Sequence, residues 1–316
     1  MPKSQFSAGN FCVVTNCTAR KSGSGGAVTL PEACTGTSVQ VLARGWVEAT
    51  RQAVGTVEAR SLYLGRAFRE GRLAADSIGA SLFVASAGFG LVSGATRIPN
   101  YNLTVSDGPG SIRPHLRTCK DGAAGWWREL NLVLGSPTPL SELVAGRTFD
   151  HVFLAMPSTY LSMVAEDLAA LPASMADKLR IFTSRSGLSV LPVNLRSCVL
   201  PYDERLEAVA GFAGTQIDFA QRALRHFVEV VGGHRLPMAK AIGAVDSCLG
   251  APAKLRRAAG AKASDSEIQR LLLAHWETSS GSSTKLLRFL RDEARVACEQ
   301  KRFQRIWLAA SSQNQA

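Results

Sequence analysis

The chain has 316 residues, 46 % of them hydrophobic, and a formal net charge of +11. That length suits one large domain plus a small one, and that apolar content excludes wholesale disorder. No apolar run reaches the roughly 18 residues of a membrane span, and the N-terminal MPKSQFSAGN lacks the apolar core of a signal peptide. Seven scattered cysteines without a C-x-x-C pair, beside only five histidines, speak against a zinc site or a disulfide framework. The expectation is a cytoplasmic protein that needs no metal or cofactor and keeps most thiols in its core.

In chain order, Phe11-Cys12-Val13-Val14-Thr15 is a β-branched run that predicts a buried strand, followed by a flexible Ser22–Gly26 stretch. Residues 62–77 place Leu62, Leu64, Ala67, Phe68, Leu73 and Ala74 near one another on a helix. Leu82–Ser86 predicts a second strand, and residues 93–114, rich in Gly and Pro, a long irregular loop. Loops of that length in a compact domain are usually functional. Val152–Met156 and Leu179–Thr183 predict two more strands, with a helix over 160–171 and an amphipathic helix from near Asp218 to Val231. This alternation predicts an α/β fold over residues 1–236, a largely parallel sheet flanked by helices. Ligands of such sheets lie at the carboxyl ends of the strands, which the loops after Thr15 and Ser86 would reach.

From about 237 the pattern becomes helix and turn, and 237–316 is expected to be a basic helical module. Residues 254–307 hold twelve Lys/Arg against six Asp/Glu, more than half the excess charge of the chain. Ser264-Asp265-Ser266-Glu267 has the form of a capping box opening a helix to Trp276. After a polar turn, a second helix over 285–300 turns Leu286, Leu287, Phe289 and Leu290 inward and exposes Lys285, Arg288, Arg291 and Arg295. Phe303–Leu308 is expected to close the module as a short strand. A helix, a turn and a basic helix suit helix-turn-helix or winged-helix docking, with these four cations and Arg302 on the phosphates of double-stranded DNA. The plain alternative is a solvated basic face.

Three segments could carry chemistry. In Asn16-Cys17-Thr18-Ala19-Arg20-Lys21-Ser22, Cys17 is either a nucleophile activated by Lys21 or a packed thiol in a tight turn. In Ser86-Ala87-Gly88-Phe89-Gly90 the glycines allow close backbone approach, and downstream Tyr101 could stack on a base while Asn102 reads its edge. Either could equally belong to a structural crossover loop. Asp218, near a helix start, is either an ordinary first-turn acid or a catalytic carboxylate that holds water or stabilises a sugar cation. Asp203 and Glu204 are weaker candidates, His151, His226 and His234 lack ligand spacing, and Trp126-Trp127 suit core anchoring better than a base wedge.

The order of CTARKS, LYLGRAFREG and FVASAGFGLVSGATRIPNYNLTV, roughly residues 10–107, resembles the YaaA-like and archaeosine-synthase-like proteins, with looser similarity in VFLAMPSTY and GTQIDFAQRAL. The resemblance implies chemistry on modified nucleobases and leaves out the basic C-terminal segment. Two reactions follow from it. One is excision of a hypermodified base, such as glucosylated hydroxymethylcytosine of phage DNA, with Asp218 as the catalytic carboxylate, Asn10 and Lys21 as its catalytic companions, and Asn16, Cys17, Ser86, Gly88, Tyr101 and Asn102 around the base and sugar. The other is hydration of the nitrile of 7-cyano-7-deazaguanine in DNA through Cys17. A non-enzymatic DNA-binding regulator is the third expectation. The oligomeric state is open.

Overall fold

A computed structural model describes residues 10–22, 26–32, 38–55, 57–117, 122–146, 148–250 and 261–314. Gly23–Gly25 of the expected flexible stretch, Cys34, Cys119 and the basic Lys254, Arg256 and Arg257 lie outside them. The chain divides into two compact units, 1–251 and 252–316. Residues 237–250, expected with the basic module, instead belong to the first unit, because their helix buries Ala241, Val245 and Leu249 in its core.

The first unit runs β1 (Phe11–Asn16), α1 (Val39–Arg51), β2 (Val57–Glu58), α2 (Ala59–Leu62), α3 (Arg66–Ser77), β3 (Ser81–Ser86), β4 (Gly90–Ser93), β5 (Arg97–Ile98), α4 (Gly122–Leu134), α5 (Pro139–Ala145), β6 (His151–Ala155), α6 (Ser158–Ala169), β7 (Leu179–Phe182), α7 (Arg185–Val190), α8 (Phe219–Glu229) and α9 (Met238–Leu249). Five strands form one sheet in the order β4-β3-β1-β6-β7. It is parallel except for β4, which returns antiparallel to β3. The sequence is thus α/β with a largely parallel sheet between helices. All six residues of β1 are buried, as expected of a central parallel strand that reads as an unbroken apolar run. Helices α3 and α8 pack on each other and reach the sheet through β1 and β6, while α1, α4 and α6 form a separate helical layer.

Three local expectations change. The single helix over 62–77 is broken: α2 ends at Leu62, and Gly65, at φ +106°, turns the chain into α3. Only glycine adopts that φ cheaply. The Gly-rich stretch after Ser86 is a three-residue turn into β4 rather than a loop. The irregular 93–114 segment contains β5, paired with β2, and bridges Val28 to Tyr101 and Thr104 to Ser111. No helix among the described residues is long and apolar enough to cross a membrane. Of the described cysteines, Cys12, Cys17, Cys198 and Cys298 are buried, whereas Cys248 is exposed.

The second unit runs β8 (Ala261–Lys262), α10 (Asp265–Ala274), α11 (Ser283–Asp292), β9 (Val296–Ala297) and α12 (Gln300–Asn314), around a core that includes Ile268, Leu272, Leu286, Leu290, Phe303 and Ile306. The Ser264–Glu267 capping box opens α10. Helix α11 is shorter than expected: it stops at Asp292, and Arg295 takes φ +50° before β9. Residues 303–308 are helix, not strand, because Phe303, Ile306 and Ala310 share one buried helical face. The two short strands pair in parallel, which differs from the antiparallel hairpin of a winged helix.

Candidate active site

The strand order reverses at β1. The chain goes first to β3 and β4 on one side, then to β6 and β7 on the other. In open α/β sheets ligands bind at such a switch point, outside the carboxyl ends of the strands, here those of β1 and β6. Cys17 follows β1 directly, and its Sγ lies 3.1 Å from the hydroxyl of Tyr160, on the first turn of α6 after β6. The same sulfur accepts the backbone N–H of Ala87 at 3.4 Å. Beneath it, the Gln221 side chain of α8 ties the two strands together. Its Nε2 donates to Asn16 Oδ1 at 2.8 Å and to the Ala155 carbonyl at 3.1 Å. Gln221 Oε1 is buried and has no partner among the described residues.

The end of β3 supplies the other half. Ser86 is fully buried. Its Oγ accepts the N–H groups of Gly88 at 3.2 Å and Phe89 at 3.1 Å, shares a 2.7 Å bond with the Tyr101 hydroxyl, and accepts the Tyr63 hydroxyl at 3.2 Å. Tyr63 and Tyr101 are themselves 3.0 Å apart, oxygen to oxygen. Two tryptophans fix the turn. Trp46 donates to the Gly88 carbonyl at 2.6 Å and Trp126 to the Ala87 carbonyl at 2.8 Å. Gly88 is glycine for space, since a Cβ there would lie 2.7 Å from the Tyr101 ring. Lys21 Nζ lies over that ring, 4.0 Å from its centroid, and the Lys21 backbone bridges to Tyr63.

Burial raises the pKa of the Tyr63, Tyr101 and Tyr160 phenols, so all three stay protonated at neutral pH. Burial lowers that of Lys21, against an opposing effect of Cys17. The arrangement therefore offers a sulfur faced by two hydrogen-bonding groups, an amine easier to deprotonate than a surface lysine, and the three hydroxyls of Tyr63, Ser86 and Tyr101 hydrogen-bonded to one another. Such a set can activate a nucleophile and pass protons.

Asn16, Cys17, Lys21, Ser86, Gly88 and Tyr101 are thus brought together. Asn10 is not. It precedes β1, at the opposite edge of the sheet, and bonds to Thr148 and Asp150. Asn102 points away from buried Tyr101, with its Oδ1 against Gly110. The Tyr101 ring is covered by Lys21 and edged by Trp46 and Phe89, so it is a wall and not an open stacking platform. Asp218 is buried at the start of α8. Its Oδ1 accepts from Arg222 at 2.7 Å and Thr215 N–H at 2.8 Å, and Oδ2 lies 3.4 Å from Arg66. Trp127 anchors α4 to Asp167. Asp203 pairs with Arg205, and His226 with Tyr202.

Sequence reasoning missed Tyr63, Tyr160 and Gln221, which are far from Cys17 along the chain. In the second unit Lys285, Arg288, Arg291 and Arg295 are exposed. Arg295 lies in a turn rather than on α11, and Arg302 is held by Asp265 at 2.7 Å and by the Ala263 carbonyl. No group of acids, histidines and cysteines among the described residues is arranged to hold a metal ion. Comparison of the chain with protein-family models, with curated proteins and with solved structures finds no match.

Proposed function

We propose that the protein acts on an unusual base in double-stranded DNA, and that it excises this base as a DNA glycosylase. The observation that carries the reading is the cluster of Cys17, Lys21, Tyr63, Ser86, Tyr101 and Tyr160 at the switch point of the sheet. Residues from the segments that resemble the YaaA-like and archaeosine-synthase-like proteins converge there. The exposed cations of α11 add a means of holding the backbone. The enzyme flips the nucleotide to the cluster, and water replaces the base at the sugar carbon, leaving an abasic site. Asp218, held by Arg222 and Arg66, must exchange its 3.4 Å pairing with Arg66 to face the positive charge on the sugar, and Lys21 and the phenols hold the base.

One observation favours a second reaction. Cys17 Sγ has both the Ala87 N–H and the Tyr160 hydroxyl beside it. A thiol so held can add across the nitrile of 7-cyano-7-deazaguanine, moving its proton to the nitrile nitrogen and forming a thioimidate. Water then displaces the sulfur, leaving the amide on the base and restoring the thiol.

The test is to incubate the protein with DNAs carrying different hypermodified bases and to follow both base release and mass change of the strand. Excision predicts a free base and an abasic strand, lost in Asp218→Asn while DNA binding persists. Nitrile hydration predicts a strand heavier by one water, lost in Cys17→Ala. Sequence-specific binding with neither product would overturn both and leave a regulator.

A further inference from the structure

Apart from Arg66, which pairs with Asp218, the arginines of α2 and α3 are unused by the chemistry above. They line an open cleft of about 440 Å³ through Arg60, Arg66, Arg69 and Arg72, with Tyr63 among its walls and no carboxylate residue. Arg66, Arg69 and Arg72 follow one another at three-residue spacing, which sets them on one helical face. Like charges so arranged repel, and the acids nearby offset them only in part. Glu70 is buried and also bound by Arg225 of α8. Arg66 is fixed by the Ala213 carbonyl and Asp218. Arg60 pairs with Asp76 at 2.8 Å. The Arg69 side chain is 62 % exposed and, among the described carboxylates, reaches only Glu70, at 3.6 Å. Arg72 has no carboxylate partner among the described residues.

A cleft lined by one sign of charge focuses potential and draws counter-ions. Guanidinium groups suit phosphate oxygens, which they can bind in pairs. The cleft is also joined to the cluster. Tyr63 lines it and bonds to Ser86 and Tyr101, and the Lys21 backbone bridges to Tyr63. A group held by the arginines therefore stands one side chain away from the hydroxyl chain.

We propose that this cleft is a phosphate site that takes the backbone phosphate of the nucleotide presented to the Cys17–Lys21 cluster. The inference rests on reading that cluster as a nucleotide site. It assigns the first unit its own hold on the strand.

The test uses the full chain, a labelled single-stranded hexanucleotide, a nucleoside monophosphate and inorganic phosphate. Wild type is compared with Arg69→Gln/Arg72→Gln, and with Arg51→Gln as a surface control on α1. The double variant should melt like wild type, since neither side chain donates a hydrogen bond to the core. It should bind the hexanucleotide about tenfold more weakly, and its slope of log affinity against log salt should shrink by roughly 0.7 per lost contact. Arg51→Gln should match wild type. Monophosphate binding that depends on the same arginines would identify a free nucleotide as a ligand, and its absence a strand phosphate. Hexanucleotide affinity and salt slope unchanged in the double variant would overturn the site. Loss of binding in that variant, with no base released or altered by wild type, would leave the site standing and the proposed reaction refuted.

Discussion

Trp126 donates its indole N–H to the carbonyl of Ala87 at 2.8 Å, while the N–H of the same Ala87 faces Cys17 Sγ at 3.4 Å. One residue thus links the helical layer to the sulfur. Trp126→Phe keeps most of the buried ring and removes the donor. The Ala87 carbonyl is then buried without its partner, which costs about 1–3 kcal/mol. Urea unfolding should show that loss, and Cys17-dependent activity should fall with it. A variant as stable and as active as wild type would mean that the indole does not fix the turn.

Gly88→Ala tests the other contact of that turn. The added Cβ would lie 2.7 Å from the Tyr101 ring and 3.1 Å from Trp46. Both side chains are buried and hydrogen-bonded, so neither has free space to move. Overpacking of this kind costs about 1–3 kcal/mol. Activity should drop more than stability alone explains, because Tyr101 must leave Ser86 to make room. Catalysis at the wild-type rate in a folded Gly88→Ala protein would remove Tyr101 from the site.

The contrast between Cys17 and Asn10 shows what the sequence carries. Both flank the same apolar run, and strand polarity alone decides which reaches the ligand edge. Cys17, Lys21, Ser86 and Tyr101 are legible because each ends or follows a strand or lies in a long loop. Tyr63 is hidden inside LYLG, where Leu62 and Leu64 fit a helical period and the break set by Gly65 does not show. Tyr160 and Gln221 come to the cluster only through the pairing of β6 with β1 and the packing of α8, which no local pattern encodes. The apolar strands are readable since burial on both faces leaves a continuous hydrophobic run. Phe303–Leu308 misleads for the same reason: a short aromatic and β-branched run fits either a strand or one side of a helix.

Arg222 is fully buried between Asp218 at 2.7 Å and Glu207 at 2.8 Å, and also donates to the Thr215 carbonyl at 2.9 Å. Arg222→Met would leave two carboxylates without their shared cation. Breaking such a buried pair costs about 3–5 kcal/mol. Asp218→Asn should cost less, since an amide oxygen can still accept the Thr215 N–H. Chemical denaturation of the two variants compares them directly. Equal stability of Arg222→Met and wild type would show that the network contributes nothing to the fold.

Lys21 gives a pH dependence of definite sign. Burial holds its pKa below the ordinary 10.5. Between its folded value and 10.5 the unfolded chain binds a proton that the folded chain lacks, so this lysine makes stability rise with pH. Buried phenols act oppositely. Tyr63 and Tyr101 stay protonated beyond the ordinary 10.0, so above that pH the unfolded chain loses protons that the folded chain keeps, and stability falls. Buried thiols such as Cys12 add to that fall. The Lys21 effect is therefore read as a difference. Lys21→Met removes the cost of burying a charge, and its stability relative to wild type should be greatest near pH 7 and shrink towards about pH 10. Unfolding curves of both proteins at the two pH values measure this. A difference that is constant, or that grows with pH, would show that Lys21 keeps the proton affinity of a surface lysine.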